Sequence, residues 1–189
     1  MASSSVPANP LAPSVHVASE LKQTVNSSVL LGAGALVLDE EPGAFVFGAL
    51  KNIMVLVWLK QATADALVRL SHAVEKVRTE YPRGRSSVHV VVGGAAPPTI
   101  EAQEAFVRLA ADAHLACLGV VFLGSGFWAS GLRSNSTRLT MQSGGKFMFR
   151  HHETIEELAP WLPAEHEERT GVKVRADTLV SVIKAFANA

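Results

Sequence analysis

The chain has 189 residues, 48% hydrophobic and 18% charged, so it fits one domain with tails and is too apolar for intrinsic disorder. Lys and Arg number 17, as do Asp and Glu, which leaves no net positive charge to attract a nucleic acid. Cys117 is the only cysteine, so an intrachain disulfide is excluded and we expect a small buried hydrophobe.

The N-terminal residues 1–14 are rich in Ser, Pro and Ala without apolar periodicity, which predicts a flexible tail. A weak helical pattern covers 15–25. No basic segment precedes an apolar stretch, so no secretory signal is predicted and we expect a cytoplasmic protein. The uncharged stretch 113–132 is broken by four glycines and two serines, so we expect no membrane span.

Two apolar segments, 29–38 and 44–50, flank the charged segment 39–43, which contains Pro and Gly and is typical of a turn. This pattern predicts an antiparallel hairpin. The seven apolar residues 53–59 follow without alternation, which is typical of a strand covered on both faces. This segment is the predicted central strand.

Alternating helices and strands fill the middle of the chain. Thr63 and Thr99 are predicted N-caps of two helices whose apolar residues fall on one face. Two further apolar strands are predicted at 88–92 and 117–123, and a polar helix at 127–142.

The C-terminal part begins with a short predicted strand, 146–150. Thr154 and Glu157 form a capping box for a helix that Pro160 and Pro163 are expected to keep short. We interpret 164–175 as a charged, irregular linker.

The last predicted helix, 176–189, is capped by Asp177. Its apolar stripe, formed by Leu179, Val182, Ile183 and Phe186, must be buried against its own domain or a neighbour's.

The element order predicts an α/β fold: a mixed, mainly parallel sheet of βα units in a single domain at 15–163, preceded by the antiparallel hairpin. Over 44–162 this order resembles the STAS-like domain of bacterial anti-sigma-factor antagonists. The segment 122–128 matches the turn at which that family carries a phosphorylated serine, with Ser125 retained, Gly124 in place of the acidic residue and Phe127 in the glycine place. The resemblance implies a regulatory domain that binds a partner protein.

The turn Gly124-Ser125-Gly126 presents backbone N–H groups at a helix N-terminus, where an anion is favoured. No acidic residue lies between Asp112 and Glu153, whereas four basic residues do. The alternative is that the glycines only permit a tight turn. The predicted partner- or anion-binding residues are Gly124, Ser125, Gly126, Trp128, Arg133 and Arg138.

Catalytic, metal and cofactor motifs are missing from the sequence. The adjacent His151 and His152 point to opposite faces of a strand, so we predict no metal site. No G-x-S-x-G motif or Walker lysine is present, so no cofactor and no enzymatic activity are predicted.

The sequence therefore predicts a non-catalytic regulatory or scaffold domain that binds another protein through the turn and helix at 124–138. A homo-oligomer is the other association that the sequence leaves open. The alternative is a small-ligand module in which the amides of residues 124–126 hold an anionic head and apolar residues hold a lipid-like or nucleotide ligand. An enzyme would need titratable groups that converge at one strand end.

Overall fold

The computed structural model describes residues 32–188, so the predicted tail at 1–14, the predicted helix at 15–25 and the first residues of the hairpin lie outside it. The strands are β1 (Ala35–Glu41), β2 (Phe45–Leu50), β3 (Ile53–Trp58), β4 (Arg85–Val92), β5 (Leu115–Leu123) and β6 (Met148–His152). The helices are α1 (Ala64–Glu80), α2 (Ile100–Ala110), α3 (Gly126–Ser143), α4 (Ile155–Thr170) and α5 (Ala176–Ala187).

One six-stranded sheet has its strands in chain order, β1 to β6. β2 pairs antiparallel with both β1 and β3, and β3, β4, β5 and β6 run parallel. The α/β fold with a mixed sheet and an antiparallel start is confirmed. The turn of this hairpin is shorter than the predicted 39–43, because β1 continues to Glu41.

The helices form two layers. α1, α2 and α3 pack on one face of the sheet, where Leu56 and Val120 lie in the apolar core. α4 and α5 cover the other face, which contributes Val55 and Val90. Three successive right-handed crossovers that advance in one direction must leave their helices on the same face, which explains the first layer.

Side-chain caps fix the beginnings of three helices. Thr63, Thr99 and Thr154 each accept a hydrogen bond from a backbone N–H of the first turn, as the sequence predicts. The prediction for the last helix is wrong: Arg175 occupies the N-cap of α5, and Asp177 lies in the first turn. Asp177 bonds the Arg175 guanidinium and the Thr178 N–H instead.

α4 is longer than the sequence indicates. It continues through Pro160 and Pro163 to Thr170, so the expected irregular linker is helical over most of its length. Each proline removes one backbone hydrogen bond, which costs a helix about 3 kcal/mol. Burial of side chains such as Leu158 and Leu162 against the sheet outweighs this cost.

α5 packs on its own domain, which decides between the two alternatives for its apolar stripe. The Phe186 ring lies against Gly48 of β2, where a Cβ atom would come within 2.5 Å of the ring and 2.6 Å of the Leu36 carbonyl oxygen. Within residues 32–188, none of the helices has the length and apolarity needed to cross a membrane.

Candidate functional site

A cleft opens between the sheet and helices α2 and α3, near the carboxyl ends of β3, β4 and β5. Open α/β sheets commonly bind ligands at this edge. Its lining includes Trp58, His89 and Phe122 from the strands, Phe106 from α2 and Ser136 from α3. The cleft has a volume of about 80 Å³, and most of its wall is hydrocarbon.

His89 is the central polar group of the cleft. The indole Nε1–H of Trp58 donates to His89 Nδ1 at 3.3 Å, so the proton of the neutral ring is on Nε2. Burial, with a smaller contribution from the Arg85 charge, lowers the pKa of His89 to about 3. The ring is therefore neutral at physiological pH, and within 32–188 nothing accepts a hydrogen bond from Nε2–H.

Ser136 and His151 meet at the wall of the cleft, with Ser136 Oγ 2.5 Å from His151 Nε2. His151 occupies the same row of the sheet as His89, with Val120 between them. Burial and the charge of Arg133 lower the pKa of His151, which favours its neutral ring. The Ser136 hydroxyl also donates to the Arg133 carbonyl at 3.3 Å. No carboxylate among the described residues bonds His151, and the pair therefore lacks the third group that orients the histidine of a hydrolytic triad.

The predicted turn at Gly124 to Gly126 lies at the same edge of the sheet but does not line this cleft. Ser125 is the N-cap residue of α3 and makes no side-chain capping bond. Gly126 adopts φ 75°, which favours glycine. At Gly124 a Cβ atom would lie 2.6 Å from the Trp128 ring, so a glycine is needed here for that ring to pack against the turn.

The side chains expected to complete the turn are engaged elsewhere. Trp128 donates to the Ala95 carbonyl at 2.8 Å and so joins the turns that follow β4 and β5. Arg133 pairs with Glu153 at 3.3 Å. Arg138 donates to side chains of α2 and α3, the first of them Gln103. The two arginines lie about 12 Å and about 20 Å along the helix axis from Ser125, so the structure does not bring them to the turn.

Metal and thiol chemistry were not expected at these residues. His151 faces Ser136 while His152 stacks near Trp161 at 5.3 Å, which confirms that the two histidines point to opposite faces. Among residues 32–188 no cluster of three or more metal-binding side chains occurs. Cys117 is buried and unpaired, as predicted, and burial raises the pKa of its thiol.

Sequence reasoning missed the cleft and both of its histidine pairs. Trp58 and His89 are 31 residues apart, and Ser136 and His151 are 15 residues apart. The sequence places His89 only within the predicted apolar strand at 88–92. The one available signal was its polar ring in an otherwise apolar segment.

Comparisons with protein-family models, with curated proteins and with solved structures give no match for this chain. The fold and the cleft define an α/β protein with a mixed six-stranded sheet and an apolar pocket at the carboxyl edge of its parallel strands. The likeness to STAS-like domains stays a resemblance of element order and of the Ser125 turn.

Proposed function

We propose that the protein binds a small, largely apolar molecule in the cleft and that the site is non-catalytic. The observation that carries this proposal is the neutral His89, whose Nε2–H lines an apolar cleft without a partner among the described residues. A ligand that supplies the acceptor forms a hydrogen bond in an apolar setting, which stabilises the complex by about 0.5–1.5 kcal/mol. The proposed site differs from the one that the sequence indicated at residues 124–126.

The chemistry of the cleft selects its ligand. A neutral imidazole N–H favours an uncharged acceptor such as a carbonyl or ether oxygen, because it offers no countercharge to an anion. The volume of about 80 Å³ is smaller than the roughly 150 Å³ of an engineered cavity that binds benzene. About three heavy atoms therefore fit inside, and a larger molecule extends through the mouth.

A matched pair of small probes tests this proposal. Cyclopentanone carries a carbonyl oxygen on an apolar ring, and cyclopentane lacks the acceptor. In an NMR titration we expect cyclopentanone to shift the Trp58 indole N–H signal, because Trp58 donates to His89, with a dissociation constant of about 1 mM. Cyclopentane should bind at least about fivefold more weakly.

Two variants complete the test. His89→Leu removes the donor and should abolish the preference for the ketone, whereas His72→Leu changes an exposed histidine on α1 and should preserve it. Equal binding of both probes to the unaltered protein would contradict the proposal. Labelling of Ser136 by a fluorophosphonate would contradict its non-catalytic part.

Exposure at the beginning of α3 favours a second function, which is the regulatory or scaffold role expected from the sequence. Phe127 is 95% exposed, and it follows the exposed turn Gly124 to Gly126. A large apolar side chain at a turn is a common anchor for a partner protein. We propose that a cytoplasmic partner, or a second copy of the chain, binds the surface at 124–138.

Phe127→Ser tests this surface, with Met141→Ser as the matched control because Met141 is 77% exposed at the other end of the same helix. We expect Phe127→Ser, and also Ser125→Glu, Arg133→Ala and Arg138→Ala, to weaken recovery of the partner in a pull-down. Sedimentation measures self-association in the same variants. Unchanged recovery and unchanged sedimentation for all four would rule out this surface.

A further inference from the structure

Three polar side chains form a column on β4 beneath α1 and α2. Arg85, Ser87 and His89 alternate along the strand, so they project from the same face. They line a second, smaller cavity of about 20 Å³, in which the other walls are hydrocarbon, including Leu70 of α1 and Leu118 of β5. His89 and Phe106 line both this inner cavity and the cleft.

Arg85 is the exceptional member of the column. It is 3% exposed, and its side chain makes one ion pair, from Nη2 to Asp112 Oδ2 at 3.1 Å. Its Nε atom is buried with no hydrogen-bond partner. A guanidinium has only donors, and a buried charged donor left without an acceptor is strongly unfavourable. The burial lowers the pKa of Arg85, and the Asp112 carboxylate compensates only part of this effect.

Two polar groups of the inner cavity have no partner among residues 32–188: Arg85 Nε–H, which can only donate, and the Ser87 hydroxyl, which can donate or accept. His89 contributes no donor here, because its single N–H belongs to the cleft. A water molecule could accept from Arg85 Nε–H and donate to Ser87 Oγ, but it carries no charge to balance the buried guanidinium. An anion accepts from every donor and gives none.

We propose that the inner cavity holds one small monovalent anion of about the size of chloride, bound by Arg85 Nε–H and Ser87 Oγ–H. This site is separate from the ligand cleft, and it does not rest on the proposed function. The volume admits one monatomic ion and no polyatomic organic acid. The charge-assisted bond from Arg85 supplies most of the attraction.

Exchange of chloride for gluconate at constant ionic strength tests the proposal, because gluconate is too large for the cavity. At 150 mM chloride we expect the unfolding midpoint Tm to be about 3 °C higher than in gluconate, through ligand linkage. A crystal grown in bromide should show an anomalous peak beside Arg85 Nε.

Ser87→Ala removes one donor with little change of volume, and it should reduce the chloride effect on Tm by at least about half. Ser71→Ala is the matched control, because the Ser71 hydroxyl bonds only the Val68 carbonyl of its own helix; it should retain the full effect. The proposal is wrong if Tm is the same in both salts, or if the Arg85 site shows no anomalous signal and holds water. A bromide peak without any chloride effect on Tm marks an adventitious ion and also overturns it.

Discussion

His166 joins three elements on the face of the sheet that α4 and α5 cover. Its Nδ1 lies 2.8 Å from Ser86 Oγ of β4, and its Nε2 lies 2.8 Å from Asn52 Oδ1 in the turn between β2 and β3. Asn52 in turn donates to the Gly84 carbonyl. Each of these buried polar atoms thus has a partner, and the two bonds of His166 fix α4 on the sheet.

His166→Leu should be strongly destabilising although it places an apolar side chain in a buried site. The change leaves the Ser86 hydroxyl and the Asn52 amide oxygen buried without their partner, at about 1–3 kcal/mol each. We expect the free energy of unfolding, measured with urea, to fall by about 2–4 kcal/mol. His72→Leu, on the exposed face of α1, should change it by less than about 0.5 kcal/mol. A loss as small as that of the control would show that the network contributes little.

These residue-scale contacts explain why the site was not predictable. Periodicity places His89 on its strand but leaves His166 in the predicted linker. Their partners are 31 residues away for His89 and 80 and 114 residues away for His166. Such pairs follow from the register of parallel strands and from the layer that each helix joins. Neither is encoded in a local pattern.

At the scale of elements, the helices with Thr caps and the strands without alternation were predicted from the sequence and are confirmed within a few residues. α4 is the exception, because its length was underestimated. The two prolines favour a short helix, whereas the burial of Leu158 and Leu162 against the sheet favours a long one. The gain from tertiary packing exceeds the local cost of the prolines, and the helix continues.

Pro160→Ala should stabilise the protein, because Pro160 is exposed and Ala restores a backbone donor to the Glu156 carbonyl. A proline in a helix interior costs about 3 kcal/mol, and its rigidity in the unfolded chain returns about 1 kcal/mol, so we expect a gain of about 1–2 kcal/mol in urea unfolding. Pro163→Ala should gain less, since the Pro163 ring is buried and its packing is lost. A lower stability for Pro160→Ala would indicate that the proline bend is required by the fold.

At the scale of the molecule, each face of the sheet contains a neutral, enclosed histidine. His89, on β4, lies under α2 and α3, and His166, on α4, faces the sheet and bonds Ser86 of β4. The sequence predicted that both faces of the central strands are covered, but not that six strands follow one another in chain order. That order depends on the crossovers all advancing in one direction, which loop composition does not specify.

The two enclosed histidines predict a loss of stability in mild acid. Burial lowers the pKa of His166 to about 4 and that of His89 to about 3, from 6.5 in the unfolded chain. Below pH 6.5 the unfolded state therefore binds two protons that the folded state does not, and stability falls as pH falls through this window. The expected slope near pH 5 is about 2.7 kcal/mol per pH unit, or 1.36 kcal/mol for each histidine.

Urea unfolding between pH 7.5 and pH 4.5 measures this slope, and substitution separates the contributions of the two faces. His166→Leu should reduce the slope by about 1.4 kcal/mol per pH unit, because one linked proton is removed, while His72→Leu should leave it unchanged. Burial also lowers the pKa of His151 and His152, so the slope measured for the unaltered protein should be at least as steep as the predicted one. Equal stability at pH 7 and pH 5 would mean that His89 and His166 titrate in the folded protein much as they do in the unfolded chain, and that the enclosed environments described for both are wrong.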